Sequence, residues 1–268
     1  VAPKKYWDLY DRNKIELAAW QKKSIDGPDV AYHNSGEMRS YNDIIPVDTA
    51  AKKSGQLKIN EDKQRELIHG YYACISYIDA QIGKLMEALK ANGLDKNTIV
   101  VIWGDHGWHL GDHSLWCKHS NFEQAAHAPL ILTVPGLTNG NDYNQPVEFV
   151  DIYPTLCDLT GINIPGYLDG KSLLPALKNN NTKIKDFAIS QFPRGGGGKG
   201  ARETMGYSLR NMQYRFTEWV GNQFNTAKPF NQADVKAIEL YDLANDPNET
   251  KNIAKKPKKK KVLDELTA

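Results

Sequence analysis

The sequence predicts an α/β fold with a small antiparallel sheet near its C-terminus. Three observations carry that prediction: one long amphipathic helical period, two short apolar runs rich in β-branched residues, and a change of texture after about residue 185. The first two give a helix followed by buried strands. The third gives short strands separated by turns.

Residues 1–60 hold no sustained period and are rich in Pro, Gly, Asp and Lys, with an aromatic cluster at Tyr6, Trp7 and Tyr10. They read as loop with one or two short helices. Over residues 61–92, Leu67, Tyr71, Ile75, Ile78, Ile82, Leu85 and Leu89 recur at steps of three and four, which lines one helix face and assigns it to the core. Asn60 is placed as N-cap and Gly93 as the residue that ends the helix. Thr98–Trp103 is nearly all apolar, the pattern of a parallel strand buried on both faces. Pro129–Val134 is a second apolar strand, and Val150–Thr160 reads as a helix closed by Gly161. Phe187–Phe192, Tyr207–Arg210, Tyr214–Trp219 and Ile238–Leu243 are the strands expected of the C-terminal sheet. The division is therefore placed between residues 1–184, part of an α/β domain, and 185–268, an α+β subdomain. The glycine-rich run Gly195–Gly200 lacks the strand–loop–helix setting and the Lys-Ser/Thr ending of a phosphate loop, so it reads as a plain loop. Lys255–Lys261 reads as a solvated tail.

Thirty-four basic and 32 acidic residues leave a formal charge of +2, which gives no general field for nucleic acid or a membrane surface. No apolar run approaches the ~20 residues of a membrane span. Cys74, Cys117 and Cys157 are odd in number and lack the spacing of a zinc site, so they are expected to be free thiols, at least one of them buried. The chain opens on Val1-Ala-Pro-Lys-Lys with no apolar leader, reads as trimmed, and says nothing about export.

The chemistry concentrates between Val100 and Pro135. Asp105 and His106 follow a predicted strand, where ligands of open α/β sheets sit, and Gly104 and Gly107 let the backbone turn beside them. A carboxylate next to an imidazole suits a divalent cation, and an oxygen-rich shell would favour calcium or magnesium. The pair could equally be a hydrogen bond within a turn. Four of the seven histidines, His106, His109, His113 and His119, crowd this stretch. Zinc is disfavoured, because Gly104, Gly107 and Gly111 break the helix that would bring His106, His109 and His113 onto one face, and no Cys-rich or His-Glu-x-x-His pattern accompanies them. His109 and His113 singly are expected to face solvent or to be bonded locally. Lys118, after Trp116 and Cys117, is placed to neutralise a sulfate or phosphate oxygen as a point charge, although an exposed surface lysine would look the same.

Taken together, Gly104-Asp-His-Gly-Trp-His-Leu-Gly-Asp-His-Ser-Leu-Trp-Cys-Lys-His-Ser-Asn-Phe122, running on to the Pro-Leu-Ile strand, resembles the sulfatase family of the alkaline phosphatase superfamily, in particular the iduronate-2-sulfatase branch and its bacterial relatives. Ser76–Gly83, Phe149–Leu156, Gln191–Arg194, Met205–Arg210, Tyr214–Trp219 and Glu239–Asp242 resemble further segments of the same family, so the likeness covers most of the chain after about residue 60. The resemblance implies an alkaline-phosphatase-like (sulfatase) sandwich with an incomplete core here. It implies Asp105 and His106 as metal ligands, for Ca2+ rather than Mg2+. It implies Lys118 as the catalytic and substrate-binding lysine that holds the sulfate, His119 as a substrate-facing residue, and Trp108 as a wall of the pocket. It further implies a sulfated sugar or polysaccharide as substrate and an exported or lysosomal enzyme.

The chain also departs from the family pattern. The nucleophile there is a formylglycine made from Cys in a Cys-x-Pro/Ala-x-Arg motif, and neither Cys74, Cys117 nor Cys157 stands in one. The paired N-terminal aspartates of the metal site have no counterpart either. The expectation is a C-terminal fragment completed by the N-terminal portion of the same enzyme. Two alternatives stand beside it: a phosphoester or phosphonate hydrolase of the same superfamily, since both esters are tetrahedral anions, and a non-catalytic remnant that binds a sulfated glycan.

Overall fold

The computed structural model describes residues 2–44, 58–195, 204–221 and 230–267. The chain forms two compact units. The first comprises Val1–Lys23, Tyr32–Lys118 and His127–Gly136, the second Ser24–Ala31, His119–Ala126 and Leu137–Ala268.

The first unit is organised by a 31-residue helix. A short α1 (Lys4–Trp7) precedes α2 (Glu61–Ala91), which is about 46 Å long at 1.5 Å per residue. Its ends are those its sequence dictates. The Asn60 side chain accepts from the Lys63 amide at 2.9 Å, which is worth about 1 kcal/mol, and Gly93 takes the left-handed conformation at φ 68°. Burial along α2 is uneven. Gln64, Ile68, His69 and Ala73 are buried, and Trp7 of α1 stacks on His69 at 3.8 Å between ring centres. The expected apolar stripe continues past them, but Ile75, Ile78 and Leu85 are 53%, 54% and 70% exposed. Its C-terminal half is therefore not core among the described residues.

Next come β1 (Val100–Trp103), β2 (His109–Leu110), β3 (Trp116–Cys117) and β4 (Leu130–Thr133). β1 was expected to be a parallel strand buried on both faces. Instead it pairs antiparallel with β4, Val100 opposite Thr133 and Trp103 opposite Leu130; none of its residues is fully buried, and Trp103 is 52% exposed. An apolar run of four residues carries no information about partner direction; β4 is the only strand hydrogen-bonded to β1 among the described residues, which leaves Trp103 and Ile131 more than half exposed. β2 and β3 form a small hairpin, His109 opposite Cys117. The hairpin packs Trp116 and Cys117 against Ile15, Met38, Ile44 and Ile68, the core of this unit.

The second unit is built on a four-stranded antiparallel meander, β5 (Ala188–Arg194), β6 (Thr204–Arg210), β7 (Tyr214–Gly221) and β8 (Val235–Asp242), in that spatial order. These are the four strands expected from the sequence, with ends shifted by up to about three residues; Phe187 and Leu243 fall outside β5 and β8. The short α3 (Glu123–Ala126), α4 (Ile152–Leu159) and α5 (Leu174–Lys178) precede them. Gly161 ends the expected helix at φ 71°. One face of the sheet presents Phe216 and Leu240, which pack with Ile253 under α6 (Lys260–Thr267), whose Val262, Leu263 and Leu266 cover them. The basic run Lys255–Lys261 is thus not a loose tail. It leads into an amphipathic helix, and Lys259 donates to the Tyr214 hydroxyl at 3.0 Å and to Asp242 at 3.2 Å. Composition hid the apolar triplet that anchors it.

The other face of the meander buries charge. Arg215 and Glu239 are 2% and 3% exposed. Trp219 Nε1 and the Tyr241 hydroxyl each donate to Glu239 at 2.6 Å. Arg215 Nε lies 2.8 Å from Glu249, Arg215 also meets Glu123, and the Glu123 amide donates to Glu249 at 2.8 Å. Burying Arg215, Glu239 and Glu249 is tolerable only because each has a partner of opposite sign or a hydrogen-bond donor. Of the glycine-rich run, Gly196–Gly200 lies outside the described residues.

Candidate functional site

β1 ends at Trp103, and Gly104 turns the chain with its amide donating to the Pro129 carbonyl at 3.0 Å. Asp105 and His106 follow at once. The Asp105 side chain is 86% exposed and that of His106 32%. The ring is oriented by the main chain, with His106 Nδ1 2.8 Å from the Gly107 carbonyl oxygen. A carbonyl can only accept, so Nδ1 carries the proton, and Nε2 is the atom turned to Asp105 Oδ2, 3.3 Å away. In the neutral ring that contact sets one lone pair against a carboxylate. A cation between the two atoms would relieve it.

The spacing suits a cation. Two ligands at right angles on a divalent cation, each ~2.1–2.4 Å from it, lie about 3.0–3.4 Å apart. A histidine ligand whose other ring nitrogen donates to a carbonyl is the usual arrangement. Asp105 and His106 are therefore spaced so that they could supply two ligands to a divalent cation, and they cannot complete its shell. Among the described residues no group of three or more His, Cys, Asp or Glu side chains is arranged to hold a metal.

Trp108 is the centre of the site. Its ring lies 5.8 Å from the His106 ring, nearly parallel at 26°, and 6.2 Å from that of Tyr71 on α2. Lys118 Nζ lies 5.2 Å from the centre of a Trp108 ring, in cation–π range. Lys118 is not an unpaired surface lysine. Its Nζ lies 2.7 Å from Glu37 Oε1, and that hydrogen bond is the main reason its pKa is raised.

The β2–β3 hairpin delivers Lys118, and its backbone is strained. His113, Ser114 and Cys117 all have left-handed φ, at 53°, 58° and 70°, beside Gly111 at 105°. For three residues with side chains this costs several kcal/mol, on the order of 1–2 kcal/mol each. The surroundings hold the turn. The His113 amide donates to the Trp20 carbonyl at 2.9 Å and the Ser114 hydroxyl to that of Gln21. His109 and His113 are fully buried, ring centres 6.4 Å apart, rather than facing solvent. The left-handed turn folds them inward, which spacing along the chain does not reveal. Burial pushes the Cys117 thiol up to about 12. The three cysteines are free thiols, and Cys117 and Cys157 are buried.

Asp105, His106, Trp108 and Lys118 belong to the first unit. His119 belongs to the second, where its ring stacks on Phe192 of β5 at 5.3 Å. Sequence reasoning missed Glu37. It sits in an irregular segment before a single 3-10 turn, Met38–Ser40, with no motif around it.

The profile of the family described as Sulfatase matches residues 26–162, and that described as N-sulphoglucosamine sulphohydrolase, C-terminal, matches residues 111–268. A sulfatase of Formosa agariphila is 31% identical over 99% of this chain and 46% of its own length. Human iduronate 2-sulfatase is 31% identical over 94% of this chain and 55% of its own. The structure resembles that of the phosphonate monoester hydrolase from Silicibacter pomeroyi with a TM-score of 0.76 and 25% identity, covering all of this chain and 51% of that one. The chain spans about half the length of the curated relatives it matches.

Proposed function

Because the chain belongs to the sulfatase family, whose profile matches residues 26–162, we propose that it forms part of a sulfuric ester hydrolase that releases sulfate from a sulfated sugar. The observation that carries this reading is the meeting of His106 and Lys118 on one aromatic residue, Trp108. A cation-ligand pair and a fixed ammonium group around one rigid ring suit a tetrahedral anion ester. A sugar substrate is supported by the name of the human relative, iduronate 2-sulfatase.

In this reading Asp105 and His106 hold Ca2+, which when bound would draw charge from a sulfate oxygen. Lys118 places its ammonium against an anionic oxygen of the ester and keeps its proton throughout, since the Glu37 hydrogen bond raises its pKa. Trp108 walls the site and limits water around that charge. His119 is assigned to the sugar side.

The chain's own cysteines do not fit the family's formylglycine. Cys117 and Cys157 are buried, and Cys74 lies within α2. No step is therefore assigned to that group here. The N-terminal portion of the same enzyme is the proposed partner that carries it, and the exposed apolar side chains of Ile75, Ile78, Leu85, Trp103 and Ile131 support a partner of that kind. The family reading also suggests an exported or lysosomal enzyme. Among the described residues no helix is long and apolar enough to cross a membrane.

Lys118→Met in the complete enzyme tests the assignment. Aryl sulfate turnover should fall on the order of a hundredfold or more. Stability should change by less than about 1 kcal/mol, since the pair it breaks is partly exposed. Wild-type turnover in that variant overturns the reading. A phosphonate or phosphoester hydrolase is the second reading, favoured by the structural likeness to the Silicibacter enzyme. Hydrolysis of aryl sulfate and aryl phosphonate side by side separates the two.

A further inference from the structure

Lys118 meets any anion with a carboxylate already beside it. Glu37 Oε1 lies 2.7 Å from Lys118 Nζ, and the two side chains are 28% and 29% exposed. The pair is neither loose on the surface nor sealed from substrate. Both partners are also anchored. Glu37 precedes Met38, 2% exposed, and Lys118 follows Cys117, which is fully buried; both neighbours belong to one core cluster. Tyr41 is the further titratable group that faces Lys118 here. A pair mounted on two core residues loses little freedom when it forms, unlike most exposed ion pairs.

We propose that Glu37 is a positioning and specificity-determining residue: it fixes Lys118 against Trp108 and favours an ester carrying one negative charge over one carrying two. The proposal rests on the reading that Lys118 contacts the ester's anionic group. A sulfate monoester and a phosphonate monoester are monoanions. A phosphate monoester near pH 8 is a dianion, its second pKa being about 6. Glu37 repels all three, but it repels the dianion twice as strongly. One extra unit charge about 6 Å from a carboxylate, at a dielectric constant between the protein and water limits, corresponds to a discrimination on the order of tenfold. Lys118 alone would prefer the dianion. Paired with Glu37 it prefers it much less.

The test uses the complete enzyme near pH 8 with nitrophenyl sulfate, nitrophenyl methylphosphonate and nitrophenyl phosphate. In Glu37→Gln, kcat/KM for the phosphate should rise relative to both monoanions by on the order of tenfold. The ratio between the two monoanions should stay as it was. Glu37→Asp keeps the charge but withdraws it, and should lie between wild type and Glu37→Gln. An unchanged phosphate ratio overturns the proposal. So does a parallel rise for phosphate and methylphosphonate, which would mark recognition of phosphorus rather than of charge. Lys118→Met separates the two levels. If it leaves all three activities intact, the reading of Lys118 fails. If it removes them while Glu37→Gln leaves the ratios alone, only the role of Glu37 fails.

Discussion

Glu249→Gln should abolish a pH dependence of stability that the wild-type protein owes to one buried carboxyl group. Glu249 is fully buried, and burial, helped by the nearby carboxylates of Glu123 and Glu239, raises its pKa from 4.5 to about 7, against the lowering pull of Arg215 and the Glu123 amide. Between these two values the folded protein holds a proton there that the unfolded chain has lost, so stability falls as pH rises through the window. The loss is complete above about pH 7 and absent below about pH 4.5. At ~1.36 kcal/mol per unit, a rise of this size corresponds to about 3 kcal/mol. Glutamine keeps the shape and cannot ionise. Urea unfolding of the intact protein, repeated from about pH 5 to about pH 8, is the assay, and the wild-type curve minus that of the variant isolates the residue from other titrating groups. A difference curve that is level or rises with pH across this window refutes the reasoning. So does a variant that keeps the wild-type slope, because the charge would then be compensated more fully than the Arg215 and Glu123 contacts allow.

Calcium should stabilise the protein through Asp105 and His106. Excess calcium at about 100 times its dissociation constant adds ~3 kcal/mol to unfolding, and Asp105→Ala or His106→Ala should weaken cation affinity at least about tenfold, read as loss of the calcium-dependent rise in melting temperature. Equal calcium responses in wild type and both variants would rule the pair out as ligands. Gly206→Ala should destabilise the C-terminal sheet, because the new Cβ would lie 2.5 Å from Asn121 Nδ2 and 2.7 Å from the Trp219 ring. Overpacking of this kind costs about 1–3 kcal/mol, and an unchanged thermal midpoint would contradict the close approach.

Several features were legible because their causes are local. Asn60 caps α2 through its own side chain, and Gly93 and Gly161 take the left-handed turn that other residues resist. The strands of the C-terminal meander follow alternating patterns that each segment carries within itself. The motif residues Asp105, His106, Trp108 and Lys118 stand within one short stretch, so the hairpin can only hold them near one another.

What the chain alone could not decide depends on partners far away in sequence. The apolar stripe of α2 marks a face that wants cover, and only the packing reveals that full burial stops after Ala73. The run at Val100–Trp103 specifies a strand, while its antiparallel partner is chosen by long-range pairing. His109 and His113 turn inward through backbone strain that distant carbonyls at Trp20 and Gln21 hold in place. Glu37 is the sharpest case: 81 residues before Lys118 and outside any motif, it reaches Lys118 where Met38 and Cys117 share a core. The sequence thus determined which candidate groups stand close together and the local turns that present them. Tertiary structure decided the charge each group faces, since electrostatic neighbours are set by distance in space rather than along the chain.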